Sequence, residues 1–393
     1  MTRTLYLAWR YLVYHRIKTA ILVTSIALIA YLPVGLRVLV AQSAAELTAR
    51  ASETPLLVGA RGSPLELVLN SLYFDADPPE PMPYAEFDRL VASGLAEPIP
   101  LHVRFRSRRY PIVGTSLEYF DFRGLSFARG RPFAVLGECV VGAGVASALE
   151  LAPGDTVISS PESVFDLAGV YPLKIAVTGI LEPRHSPDDD AIFVDLKTAW
   201  IIEGLGHGHQ DLAAPEAESA VLAREGRRIT ANASVVQYNE ITPDNIDSFH
   251  FHGDLSRHPV TALIAAPPDS KSGVLLMGRY AGSDEPAQIV RPREVMDELL
   301  QTILTVQSYV VAAMLIVAAA TLATAALVFM LSLRLRRREI ETMEKIGGSR
   351  LGVASLLAAE VVVVIALAAG LAGSLTLLTA RYGSLLIRNL VLS

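Results

Sequence analysis

The chain has 393 residues, is 51% hydrophobic and 19% charged, and carries a net charge of −6 with a mean hydropathy of +0.39. Ordinary soluble domains are about a quarter charged, so this composition points away from a wholly soluble protein, and one cysteine, Cys139, excludes an intrachain disulfide framework. Basic residues crowd beside the apolar runs while most acids lie mid-chain, which removes support for nucleic-acid binding.

Residues 1–18 are expected to form a cytoplasmic helix marked by Arg3, Arg10, Arg16 and Lys18, followed by a first apolar run, 19–42. A span needs about 20 mostly apolar residues. A cleaved signal peptide is the competing reading, but the run is long and no small-x-small site follows closely. Residues 43–298 read as ordinary globular sequence, large enough for their own core.

Two further apolar runs, 299–333 and 351–380, flank a basic loop, 334–350, containing Arg334, Arg336, Arg337, Arg338, Lys345 and Arg350. Cytoplasmic segments are enriched in Lys and Arg. That rule places the N-terminus and the loop inside, and the 43–298 region and the C-terminus outside. The charge-free run from Leu299 would make a helix of about 50 Å, longer than the hydrocarbon. Its first turns, with Gln301, Thr302, Thr305, Gln307 and Ser308, read as a stalk, with a steeply tilted span as the alternative.

Within the outer region, Gly59, Gly62 and Pro64 turn the chain into an amphipathic helix, where Arg61 could meet an anion; packing is the stronger reading. Asp75–Pro83 reads as an exposed loop. Between Pro111 and Trp200, short β-like runs alternate with turns, and Val141–Leu151 and Leu196–Ile202 suit helices, giving a mixed α/β domain.

Two histidine pairs are spaced by two, His207/His209 in GLGHGHQD and His250/His252 in FHFHGD. Alternate residues of a strand share a face, so either pair could offer two imidazoles to one metal, zinc being the ion to test. Asp211, Asp254 or His258 could complete such a site; a Gly-rich surface loop and an ordinary strand are the plain alternatives.

The runs VGTSLEYFDFRGLSFARGRPF, VVGAGVASALELAPGDTV, AVTGILEP and DDDAIFVDLKTAW, in that order, resemble the extracytoplasmic domain of MacB/FtsX-type ABC transporter permeases. The matching pieces are a Gly-Arg-x-Phe box (Gly130, Arg131, Phe133), Gly154-Asp155 before a strand, and a Val-x-Gly-Ile strand. The segment LRRREIETMEKIGGSR resembles the family's coupling loop, which docks on the ATP-hydrolysing subunit; Arg338, Glu339, Ile340, Ile346, Gly347 and Ser349 carry that match. The residues themselves suggest a short helix with an apolar stripe at Ile340, Met343 and Ile346, suited to a partner surface or, with its arginines, to acidic lipid headgroups.

Glu360 sits within the third run, where an ionisable group is costly and faces protein or water. Gly370 and Gly373 would allow close helix packing.

The expected fold class is an α-helical membrane protein with three spans and a mixed α/β extracytoplasmic domain of MacB periplasmic-core type. The family usually has four spans. Here only RYGSLLIRNLVLS, 381–393, follows Ala380, too short to cross and read as an interfacial helix. No G-x-x-x-x-G-K-[ST] loop, G-x-S-x-G elbow or H-E-x-x-H pair occurs, so the chain reads as non-catalytic.

The resemblance implies a homodimeric permease in the bacterial inner membrane, with ATP and Mg on a separate ABC ATPase subunit. Outer-domain motion would then act on a lipoprotein, peptide, small-molecule or metal-linked cargo, alone or with a periplasmic or outer-membrane partner. An FtsX-like regulator of a cell-wall hydrolase and a zinc-linked uptake or sensor component remain open alternatives.

Overall fold

The computed structural model describes residues 2–159, 172–210, 221–225, 228–231, 238–282, 286–335, 337–345 and 349–391. Two compact units emerge: Met1–Ala49 with Asp297–Ser393, and Arg50–Met296.

The first unit is helical. Among the described residues, three helices are long and apolar enough to cross a membrane, with spans in Arg16–Glu53, Pro292–Leu331 and Leu351–Gly383. A short helix, Thr2–Tyr14, precedes them. The first long helix runs on through Ser43–Glu53, a polar stretch rich in Ala and Glu that favours helix without being apolar. Its successor, Pro292–Leu335, has 44 residues and is therefore about 66 Å long. The last extends unbroken from Arg350 to Val391, so residues 381–391 continue it rather than forming a separate segment; no proline interrupts them.

Small residues make the packing in this unit. Ala27 of the first long helix meets Ala368 and Ala372 of the last, bordered by Val23, Ile26 and Tyr31. The Tyr31 hydroxyl lies 2.7 Å from Thr379 Oγ1, and Gln42 Nε2 donates to the Ala380 carbonyl at 2.7 Å. Gly370 and Gly373, by contrast, face open space within this chain, so the close approach falls on the alanines and not on those glycines.

The second unit is built on a ten-stranded mixed sheet. From one edge its strands run 287–290, 56–60, 262–266, 97–107, 110–115, 192–195, 138–141, 174–181 and 127–130, with 156–158 also pairing to 174–181. Two pairings are parallel, 110–115 with 192–195 and 138–141 with 174–181. Helices Ala143–Leu149 and Leu196–Ile202 stand near where the sequence placed them. One core gathers Ile112, Val141, Ile175, Val194 and Ile201; another gathers Leu56, Leu90, Trp200, Leu263 and Tyr280. Cys139 is fully buried, and burial pushes its thiol up, so it is an inert apolar side chain.

The Gly-Arg-x-Phe box has a packing explanation. Gly130 pairs with Gly179 across antiparallel strands, and a Cβ on Gly130 would lie 2.0 Å from the Thr178 carbonyl oxygen. A Cβ on Gly179 would lie 2.4 Å from the Arg131 carbonyl oxygen. Arg131 forks onto Glu138 at 2.8 and 2.6 Å, and Phe133 is buried with its ring 5.7 Å from that of Phe120.

At the opposite edge, strand Leu56–Ala60 follows the helix ending at Glu53, and strand Ala287–Val290 precedes the helix starting at Pro292. These two strands are antiparallel neighbours, with Leu57 opposite Val290 and Ala60 opposite Ala287.

Candidate functional site

The two histidine pairs, 40 residues apart in sequence, meet in one place. Strand Gly206–Gly208 pairs antiparallel with Phe249–Phe251, setting His207 opposite His250. Side chains alternate across a sheet, so the sequences G-H-G-H and F-H-F-H sort themselves into two faces. On one face lie phenylalanines over glycines: a Cβ on Gly206 would come within 2.7 Å of the Phe251 ring, and one on Gly208 within 2.5 Å of the Phe249 ring. Both rings pack against the core. Phe251 also lines a cavity of about 410 Å³ with Phe133, Val135, Lys197 and Ile246.

The other face carries the imidazoles. His207 lies 4.9 Å from His250 and 4.8 Å from His252 between ring centroids, and His209 lies 5.2 Å from His250. Ligand atoms of His207, His209 and His250 all fall within 4.8 Å of one another. His209 Nδ1 donates to the Gln210 carbonyl at 2.8 Å, and His250 Nδ1 donates to the Ser248 carbonyl at 3.1 Å. A carbonyl can only accept, so these bonds fix the tautomer and leave each Nε2 lone pair available. Partial burial, then the neighbouring His250, His252 and His209, holds His207 below the usual imidazole range.

The extra ligands considered from sequence go elsewhere. His258 is buried against Trp200 with centroids 4.9 Å apart, and Asp254 Oδ1 accepts from Ser256 N at 3.0 Å. Asp211 lies outside the described residues.

In the loop between the second and third long helices, Arg337–Lys345 forms a separate helix with Arg338 exposed and Ile340 half-buried. Arg337 Nε donates to Glu341 at 3.1 Å, one turn on. Ile346 and Gly347 lie outside the described residues. Ser349 Oγ accepts from Gly352 N at 3.1 Å, capping the last long helix. Glu360 is buried within that helix.

Sequence reading missed a polar joint in the outer unit. Arg50, in the last turn of the helix ending at Glu53, forks onto Asp188 with N–O distances of 2.5 and 2.9 Å. Its Nη2 also donates to the Tyr119 hydroxyl at 2.7 Å, which in turn donates to Asp188 Oδ1 at 2.7 Å. Arg123 adds a bond to Thr54 at 2.9 Å, and Thr54 donates to the Arg50 carbonyl at 3.0 Å. Burial alone would push the Asp188 carboxyl up, but Arg50, Tyr119 and Arg123 hold it below the usual carboxylate range.

The MacB-like periplasmic core domain matches residues 23–237. Among solved structures, the extracellular domain of the noncanonic ABC-type transporter YknZ from Gram-positive bacteria aligns at 12% identity and a TM-score of 0.32, covering 60% of this chain and 98% of that one. The periplasmic region of MacB from Actinobacillus actinomycetemcomitans aligns at 12% identity and 0.34, covering 64% and 92%. No curated protein matches.

Proposed function

The chain belongs to the MacB/FtsX-like ABC permease family through its MacB-like periplasmic core domain, and from that premise we propose that it converts cytosolic ATP hydrolysis into motion of its outer unit. The ATPase is a separate chain that docks on the loop around Arg337–Lys345. Two copies of the permease work together in the bacterial plasma membrane, with the basic segments cytoplasmic and the Arg50–Met296 unit outside.

The observation that supports this reading best is how the outer unit holds its chain entry and exit. The Arg50 joint clamps the last turn of the first long helix by charge-assisted, buried bonds. The strand after that helix and the strand before the second are hydrogen-bonded neighbours at one sheet edge. A unit built to be moved needs its two connections fixed to its rigid core, and that is what these contacts supply.

Docking is tested by affinity purification of the full chain from its native membrane. Wild type is expected to retain an ATPase whose hydrolysis is measurable in the eluate, and Ile340→Asp combined with Gly347→Arg to lose it. An eluate without ATPase, or one that the double variant leaves unchanged, sinks the coupling role.

A further inference from the structure

We propose that His207, His209, His250 and His252 form a transition-metal site in the outer unit, taking one zinc-class divalent ion on the imidazole face of the ribbon Gly206–Gly208/Phe249–Phe251. His207, His209 and His250 are the primary ligands and His252 the fourth. This inference does not depend on the ATPase reading, because it rests on side chains of the outer unit alone.

Four observations carry it. The first is convergence: three imidazole donor atoms already fall within 4.8 Å of one another. Tetrahedral zinc, with Zn–N of about 2.0–2.1 Å, needs its nitrogens about 3.4 Å apart. The remaining ångström or so falls to side-chain rotation. The second is tautomer control, since the Gln210 and Ser248 carbonyls accept from Nδ1–H of His209 and His250 and leave Nε2 as the lone-pair donor of each ring. Metal-bound histidines are held by outer-shell acceptors of this kind.

The third is the chemistry of the donor set. Among the described residues, the donor cluster gathers imidazoles and no carboxylate. An all-imidazole set suits zinc, copper or nickel and does not suit magnesium or calcium, which want oxygen. The fourth is support and access. The phenylalanine face anchors the ribbon in the core, while His250 and His252 are exposed and His207 and His209 half-exposed, so an ion can enter without the fold opening. A purely structural role would use the imidazoles for packing, yet the packing here is done by Phe249 and Phe251 on the other side.

The consequence is a cross-link. One ion would tie segment 207–209 to segment 250–252 and close the chain between them, so that metal occupancy stiffens that part of the outer unit.

The test is titration of the full chain in lipid nanodiscs with zinc alone, read by calorimetry, with cobalt as a spectroscopic substitute. Wild type is expected to bind one ion per chain and to give the visible absorption of four-coordinate cobalt. His207→Ala and His250→Ala should each weaken binding by at least about tenfold, and His252→Ala by less. The fourfold alanine variant should abolish binding, and His185→Ala, outside the cluster, should change nothing. Thermal midpoints without metal establish that each variant is folded; should His207→Ala unfold, the exposed His250 and His252 variants carry the test. Absence of binding heat in wild type, or undiminished binding in the fourfold variant, overturns the proposal.

Discussion

Phe193 and Ile316 are both large apolar side chains, yet Phe193 is 0% exposed in the outer unit while Ile316, in the helix Pro292–Leu335, is 72% exposed. The contrast extends to whole units. In the outer unit, apolar side chains hide from water between the sheet and its helices. In the helical unit many long apolar side chains point outward, and the first and last long helices meet through alanines, the Tyr31–Thr379 contact and the Gln42–Ala380 hydrogen bond. The same residue types serve two solvents: burial drives the first arrangement, whereas in lipid close backbone approach and interhelical bonds must do so.

Four substitutions probe this contrast. Phe193→Ala should cost the outer unit about 3–5 kcal/mol, read as a lowered midpoint in denaturant unfolding of the detergent-solubilised chain, while Ile316→Ala should leave that transition in place. Equal shifts would break the distinction.

Arg50→Ala should cost about 3 kcal/mol by stranding Asp188 among buried groups. Because the Asp188 carboxyl is held below its ordinary value, the native pairing contributes fully above the unfolded aspartate value of about 3.9 and is lost as pH falls through the lower native one. The loss caused by Arg50→Ala, read as the difference in denaturant midpoint, should therefore be full at about pH 7 and shrink below about pH 4. Because burial unopposed by Arg50 raises the Asp188 carboxyl in the variant, part of that loss should already fade at mildly acid pH. A loss that stayed the same down to about pH 3 would point to another group.

The smallest effect belongs to the helical unit. Ala368→Leu should destabilise the contact with Ala27 by about 1–3 kcal/mol through overpacking, read as loss of a disulfide engineered between the first and last long helices, with the outer unit's unfolding midpoint unchanged. A shift of that midpoint would show the two cores to be one.

Much of this organisation was legible in the chain. Uninterrupted apolar runs marked the three spans, and Gly154-Asp155 and the Val-Thr-Gly-Ile run marked strands, because these are local signals. The histidine pairs were visible singly, but their meeting was not, since it depends on pairing across 40 residues. A clue existed: Gly-His-Gly-His and Phe-His-Phe-His alternate in the same period, and glycine on one strand is what a phenylalanine on its partner needs. Asp188 was hidden by company. It is one of three aspartates, Asp188, Asp189 and Asp190, after a proline, and only tertiary structure shows which of the three receives Arg50. Within this chain the close approach falls on Ala27, Ala368 and Ala372, because a small residue marks such an approach only where tertiary structure brings it a neighbour.

The ladder between Leu56–Ala60 and Ala287–Val290 also fixes the register in which the chain enters and leaves the outer unit. Side chains on a strand alternate in direction, so sliding one of these strands past the other by a single residue would turn Leu57, which is fully buried, away from its core. Intermediate displacements therefore have no stable resting place. This sheet edge is therefore a ratchet with one tooth rather than a slide, and it sets the register between the strand that follows Glu53 and the strand that precedes Pro292.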